Sequence, residues 1–400
     1  MASGFFDAIT LADKETVQSA VIAWLFSDRC GGLTLSSRLT ALEKLFGISA
    51  SSFSHIDCIE AKTEWQHMDI VFELKQGGSI KYVLVMENKI KSDLHSNQLD
   101  EYVSQLKSQV ILHGKGYKVK QTKDPNPYYQ IPRYLGYLTL MYRGDQTVQG
   151  EIWKNVTYKN LLNSLSAALN SSMALMTDVD YQIAKSYHDS IDQMCNVTQN
   201  AMTDPSQIFT KQNTYIQTHK LGHILQKYYF ENIAQSIKAS CVTHLLPMSQ
   251  SLDVRVSYCI QSDNAEIAID FTSGPLVAKY LDFGPDPKDK GDFCIAFQNG
   301  TFKIAAAKNY WGKNQSDIQL LKSRGLLRNN GKDSIWDTHP SCKGWRLNPP
   351  KGGYPRMSIS KSLDELGLPA DWYAQPKPGD VLLQGFIMCI NELLQIFPIP

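Results

Sequence analysis

The 400-residue sequence predicts an α/β first half followed by an α+β second half, and three observations carry that prediction. Apolar residues recur at helical spacing in 11–26 and 37–46, switch to strand-length runs between 56 and 90, and return to helical spacing in 97–110 before one more apolar strand. A polar stretch, 196–207, then precedes a long helical region and a run of strands. Single hydrophobic cores usually stop growing near roughly 250 residues, so two domains, 1–200 and 201–400, are expected.

In the first helix Asp13 is placed to cap the start, Val17, Ala20, Val21, Trp24 and Leu25 form the apolar stripe, and Cys30-Gly31-Gly32 ends it. A second helix is expected over Ser37–Phe46. Strands follow at Ile56–Trp65, Met68–Leu74 and Lys81–Ile90, and Gly77-Gly78 joins the last two as a hairpin. Helix Asn97–Val110 aligns Leu99, Val103, Leu106 and Val110, and Tyr134–Tyr142 is the next strand. Between them Gly114–Arg133, with four lysines and tyrosines at 117, 128 and 129, reads as a long functional loop. Helices Tyr158–Leu169 and Asp180–Cys195 complete the half.

The second half opens with a helical region over 208–239 interrupted at Gly222. Strands are expected at Asp253–Ile260, Ala265–Phe271, Phe293–Gln298 and Thr301–Ala306. Val381–Phe397 reads as a buried helix, not a membrane span, because Gln384, Asn391, Glu392 and Gln395 would be costly in lipid.

At 43% hydrophobic and 20% charged residues, the composition is that of a soluble globular protein and excludes long disordered tracts. The first residues lack the basic start and apolar core of a secretory signal, so a cytoplasmic location is expected. Eight cysteines without a CxxC spacing indicate neither a zinc site nor a disulfide framework, only reduced thiols. His219 and His223 stand at i, i+4 but lack an intervening Glu or a third ligand, and read as ordinary histidines.

The net charge of +1 hides an asymmetry: residues 301–360 hold eleven Lys/Arg against three Asp/Glu. Phe302, Tyr310, Trp311, Trp336, Trp345 and Tyr354 are interleaved with Lys308, Lys313, Lys322, Arg324, Arg328 and Arg346, a mixture suited to phosphate contact and base stacking. Lys322, Arg324 and Arg328 are therefore candidate substrate contacts, and a protein partner is the other use for such a segment.

The chemistry concentrates on the third strand. Alternation puts Val83, Val85, Glu87 and Lys89 on one face, and hairpin pairing through Gly77-Gly78 can bring Asp69 beside Glu87. Two carboxylates and an ammonium supply hard oxygen ligands for Mg²⁺ or Mn²⁺ and a positive charge for a phosphoryl group, the requirements of phosphodiester cleavage. On the following helix Gln98 and Tyr102 stand at i, i+4, where an amide and a phenol can face the same cleft.

Asp69, then Val-Met-Glu87-Asn88-Lys89, then Gln98-Leu-Asp-Glu-Tyr102 resembles the PD-(D/E)XK nuclease superfamily, within it the bacterial group with a Glu-Asn-Lys strand end and a Gln-x-x-x-Tyr helix. The resemblance covers the first half of the chain, including Ala23-Trp24-Leu25, Tyr137–Met141 and Trp153 with Tyr158; His67-Met68 stand where the superfamily's name has its proline. It implies a restriction-endonuclease-like core, α-β-β-β-α-β, with a mixed central sheet flanked by helices. It also implies catalytic roles for Asp69, Glu87, Lys89 and Gln98, metal ligation by Asp69 and Glu87, and Glu15 on the first helix as the acid that completes the metal site in many relatives. Tyr102, Lys115 and Lys118 are the substrate-binding candidates of this half.

The activity implied is a Mg²⁺- or Mn²⁺-dependent nuclease, a DNA endonuclease of prokaryotic or phage-defence type. A DNA repair or recombination nuclease is the first alternative, and a non-catalytic nucleic-acid-binding or assembly module that keeps the fold is the second. One site per chain and two strands in a duplex favour a homodimer.

Overall fold

The computed structural model describes residues 14–92, 97–113, 120–259, 262–281, 291–308, 319, 322–326, 332–348 and 357–398. The chain divides into two compact units, Met1–Asn200 and Ala201–Pro400.

The first unit opens with helices α1, Glu15–Leu25, and α2, Leu35–Phe46. Thr34 caps α2 by accepting the Ser37 N–H at 3.2 Å, and Gly47, left-handed at φ 66°, ends it. Strands β1, Cys58–Trp65, β2, Met68–Gln76, and β3, Ser79–Lys89, form the expected antiparallel meander. Gly77 and Gly78, at φ 57° and 79°, make the two-residue β2–β3 turn because both positions need a left-handed backbone.

Helix α3, Gln98–Lys107, leads to β4, Val110–His113, and β5, Lys120–Pro125, which pair antiparallel with each other. Next come β6, Arg133–Thr139, β7, Gln146–Val148, and β8, Glu151–Thr157, then helices α4, Tyr158–Ser171, and α5, Val179–Thr203. The main sheet has the order β1-β2-β3-β6-β8-β7, with β6 parallel to both β3 and β8. This is the mixed α/β core that the sequence predicted.

Both faces of the central strands are apolar and closed to water. Ile70, Phe72, Leu74, Leu84 and Met86 line one face; Val71, Val83 and Val85 line the other, packed with Leu99, Tyr102, Val103 and Leu106 of α3 and with Leu135, Tyr137 and Trp153. Sheet alternation thereby puts α3 over the face that bears Glu87.

Three expectations need correction. The buried side of α1 is Gln18, Ser19, Ile22, Ala23 and Leu25, while Ala20 is exposed, so the helix is turned relative to its apolar stripe; the polar pair serves hydrogen bonds described below. Asp13 lies outside the described residues. The segment 114–133 is not one long loop, since its residues 120–125 pair with β4. Finally, the polar stretch after Asn196 does not break the chain: α5 continues to Thr203, because polar residues suit the outer face of a helix.

In the second unit, short helices Ser206–Phe209 and Thr214–Thr218 precede α6, Gly222–Leu245, so Gly222 begins a helix where an interruption was expected. His219 caps the end of one helix and His223 lies in the next, and their i, i+4 spacing therefore puts them on no common face. His223 is fully buried, with Nδ1 2.9 Å from Asp263 Oδ1.

Strands β9, Ser251–Cys259, β10, Asn264–Ser273, β11, Gly291–Gln298, β12, Thr301–Lys308, β13, Arg346–Asn348, and β14, Met357–Ser362, form one antiparallel sheet in the order β13-β14-β12-β11-β10-β9. Helix α7, Pro378–Ile396, is long and apolar enough to cross a membrane by length and composition. Here its Leu382, Phe386, Cys389, Ile390 and Leu393 are core residues, and Gly385 stands so close to the Phe302 ring that an added Cβ would lie 2.3 Å from it.

Candidate active site

β3 carries the site because alternation divides its last three residues between two environments. Glu87 and Lys89 face α3, and Asn88 faces α1 and α4. Asp69 arrives through register: Val71 pairs with Val85 and Ile70 with Met86, which puts Asp69 directly across from Glu87. Asp69 Oδ2 accepts the Asn88 N–H at 2.7 Å.

Glu87 is 1% exposed. Its Oε1 accepts from Lys89 Nζ at 2.8 Å and from Gln98 Nε2 at 2.6 Å. Its Oε2 is equally buried and meets no hydrogen-bond partner among the described residues. Gln98, the first residue of α3, also donates to the Tyr102 hydroxyl at 2.8 Å, and that hydroxyl donates to His67 O at 2.5 Å. Gln66 and His67 are both left-handed, at φ 51° and 70°, in the β1–β2 turn that delivers Asp69. The helix thus holds Glu87 and the approach to Asp69 through one relay.

The electrostatics follow from burial. Burial, then repulsion from Glu87, pushes the Asp69 carboxyl up to about 7. Burial also raises the Glu87 carboxyl, against the opposing pull of Lys89. For Lys89, burial works against the charge, but Glu87, with Asp69 and Glu15 beyond it, more than compensates and raises the amine. The pair is asymmetric because Glu87 is the more deeply buried partner. Lys89 stays a cation at neutral pH.

Glu15 reaches the same end of β3 from the opposite side of the sheet. Its Oε1 accepts the N–H groups of Ile90 and Lys91 at 2.8 Å and of Ser92 at 3.1 Å, and the Ser92 hydroxyl lies 2.9 Å from both carboxylate oxygens. Glu15 here binds the chain leaving β3. Among the described residues no three His, Cys, Asp or Glu side chains group as a metal cage. The donor set that remains together is Asp69 with Glu87.

A family model described as the PD-(D/E)XK nuclease superfamily matches residues 3–188. Those residues belong to the PD-(D/E)XK nuclease superfamily. No curated protein and no solved structure matches the chain significantly. The superfamily assignment gives this unit a nuclease's hydrolytic activity in general, and divalent metals are general among such nucleases.

Within this PD-(D/E)XK unit Asn88 is the middle of the Glu-Asn-Lys strand end, but the sequence alone assigned it no role. Its Nδ2 donates to Glu15 O and to Ser19 Oγ, both at 3.1 Å, and its Oδ1 accepts the Tyr158 hydroxyl at 2.8 Å. Alternation was the signal for where it points, since it turns the residue between Glu87 and Lys89 to the other face.

Tyr102, expected at the substrate, is 4% exposed with its hydroxyl spent on His67, so it holds the turn. Lys115, Lys118 and Arg328 lie outside the described residues, as do Tyr310, Trp311, Lys313 and Tyr354. In the second unit Lys322 is half-buried and Arg324 is exposed, with Arg324 Nη1 donating to Lys279 O at 3.4 Å. Phe302, Trp336 and Trp345 are buried and so offer no open faces for base stacking.

Proposed function

We propose that residues 1–200 form a DNA endonuclease dependent on Mg²⁺ or Mn²⁺, with Asp69 and Glu87 as metal ligands, and with Lys89 and Gln98 completing the catalytic group. The unpartnered Oε2 of Glu87, opposite Asp69, carries this reading. An ionised carboxylate oxygen buried without a donor is expensive, and a buried Glu87 that raises the Asp69 carboxyl across from it fits a site completed by a cation. When bound there, a divalent ion supplies Lewis acidity and a water of lowered pKa.

The chain's own groups do the rest. The Lys89 ammonium, held 2.8 Å from Glu87, is a fixed positive charge for the phosphoryl oxygens as negative charge builds on them. Gln98 orients the Glu87 carboxylate, and Tyr102 fixes the turn before Asp69. Glu15, the expected third ligand, has its oxygens engaged at 90–92, and in this reading it secures the end of β3.

DNA as substrate and a phage-defence setting rest on the resemblance, which a repair or recombination role shares. The test is cleavage of single- and double-stranded DNA and RNA with Mg²⁺, Mn²⁺ or a chelator, beside Lys89→Ala. Metal-dependent DNA cleavage lost in the variant is expected. Cleavage that survives Lys89→Ala sinks the mechanism, and no cleavage of any substrate favours a binding module that keeps the fold.

A further inference from the structure

β6 is the parallel neighbour of β3, in register from Val83 with Arg133 to Lys89 with Thr139. The chain after Thr139 therefore leaves the sheet at the end of the strands where Lys89 stands. Tyr137 is level with Glu87, and Asn155 of β8 is level with Tyr137, so Tyr137, Thr139 and Asn155 share the face of the site. All three are buried, and all three grip the segment 141–145.

Thr139 Oγ1 donates to Met141 O at 2.7 Å, and the Tyr137 hydroxyl donates to Gly144 O. Asn155 Oδ1 accepts the Arg143 N–H, and Asp145 Oδ1 accepts the Asn155 N–H at 2.8 Å. The segment is thus tied down on both sides of Tyr142, which is itself 67% exposed. A single exposed aromatic is ordinary on a surface. One presented by a tethered backbone that leaves the sheet at the end where Lys89 stands is a preorganised group that loses little entropy on binding.

We propose that Tyr142 is a stacking platform for an unpaired nucleobase of the DNA strand being cut, which makes it a specificity residue for single-stranded or locally opened substrate. This rests on the nuclease reading above. Aromatic stacking tolerates any base, since each presents a π face, so the platform selects strand state and not sequence.

The test uses a single-stranded oligodeoxynucleotide carrying 2-aminopurine near the scissile position, bound to the full chain in a Lys89→Ala background that does not cut. Quenching of the 2-aminopurine is expected on binding and is retained in Tyr142→Phe. In Tyr142→Ala and Tyr142→Leu the quench disappears and affinity falls about tenfold. With Lys89 intact, the same variants lose more in KM than in kcat, and lose it on single strands and not on duplex. Unchanged affinity and quench in both variants overturn the stacking role while Lys89-dependent cleavage leaves the nuclease reading standing. A chain that binds duplex alone overturns it too, and absence of any Lys89-dependent cleavage overturns both.

Discussion

Glu73 and Glu87 are acids buried on the same face of one sheet, yet their surroundings move their carboxyls in opposite directions. Burial raises both. At Glu73 it is outweighed by Lys62 and the Tyr128 hydroxyl, which meet Oε1, and by Lys75 at 3.2 Å from Oε2, so every oxygen is partnered and the carboxyl is lowered. At Glu87 burial wins and one oxygen stays open. Glu73→Gln should therefore cost about 1–3 kcal/mol in urea unfolding while cleavage per folded molecule persists. Glu87→Gln should do the reverse, removing at least roughly a hundredfold of activity with no loss of metal-free stability. Equal losses of both properties in the two variants would contradict the division.

The metal-free protein should become more stable as pH falls from 8 towards 5.5. Asp69, near 7 when folded against an ordinary value of 3.8, binds a proton in the native state through that window while the unfolded chain does not. Stability therefore drops as pH rises through about 7, and the penalty is absent below the unfolded value. Thermal unfolding in chelator should show this slope, Asp69→Asn should flatten it, and Mg²⁺ at pH 8 should restore the lost stability. An Asp69→Asn profile parallel to wild type assigns the slope elsewhere.

Gln98→Ala should weaken metal binding or activity by about 10- to 100-fold, the usual effect of removing a partner that orients a ligand. Tyr102→Phe keeps the ring packed in the core and removes only the hydroxyl that donates to His67, so its effect should be smaller. Calorimetric titration with Mg²⁺ separates the two, and a Tyr102→Phe effect larger than that of Gln98→Ala contradicts the relay.

Asn88 shows what the sequence could and could not convey. The order of elements was legible because the apolar period changes from helix to strand and back, and Asp69, Glu87 and Lys89 followed from alternation and one glycine turn. The partners behind them were not, because α1 is positioned by tertiary packing that its own apolar stripe does not encode. Gln18 and Ser19, buried against expectation, serve long-range hydrogen bonds, with Ser19 Oγ accepting from Asn88 and Gln18 accepting from the Tyr187 hydroxyl. Asn88→Ala leaves the Tyr158 hydroxyl without its acceptor in a closed core and should cost about 1–3 kcal/mol. Urea unfolding within about 0.5 kcal/mol of wild type, by the usual yardstick of a neutral surface change, would remove Asn88 from this role.

The basic segment of the second unit makes the last prediction. Its described aromatics are core residues, and Trp345 lies under the Lys361 ammonium at 4.8 Å, so none of these three rings offers an open face for stacking. The charge of the segment, by itself, predicts binding to phosphates without sequence preference. Neutralising Lys322, Arg324 and Arg328 together should weaken DNA binding. The log-log salt slope should fall by about 0.9 for each duplex phosphate that the protein no longer neutralises, or by about 0.7 on a single strand. Catalysis at saturating substrate should persist, since these residues supply none of the Asp69, Glu87, Lys89 group. Titrations at several salt concentrations measure both affinity and slope. An unchanged slope reassigns the segment to a protein partner and moves the phosphate grip to Lys120 and Lys123, which are exposed on β5.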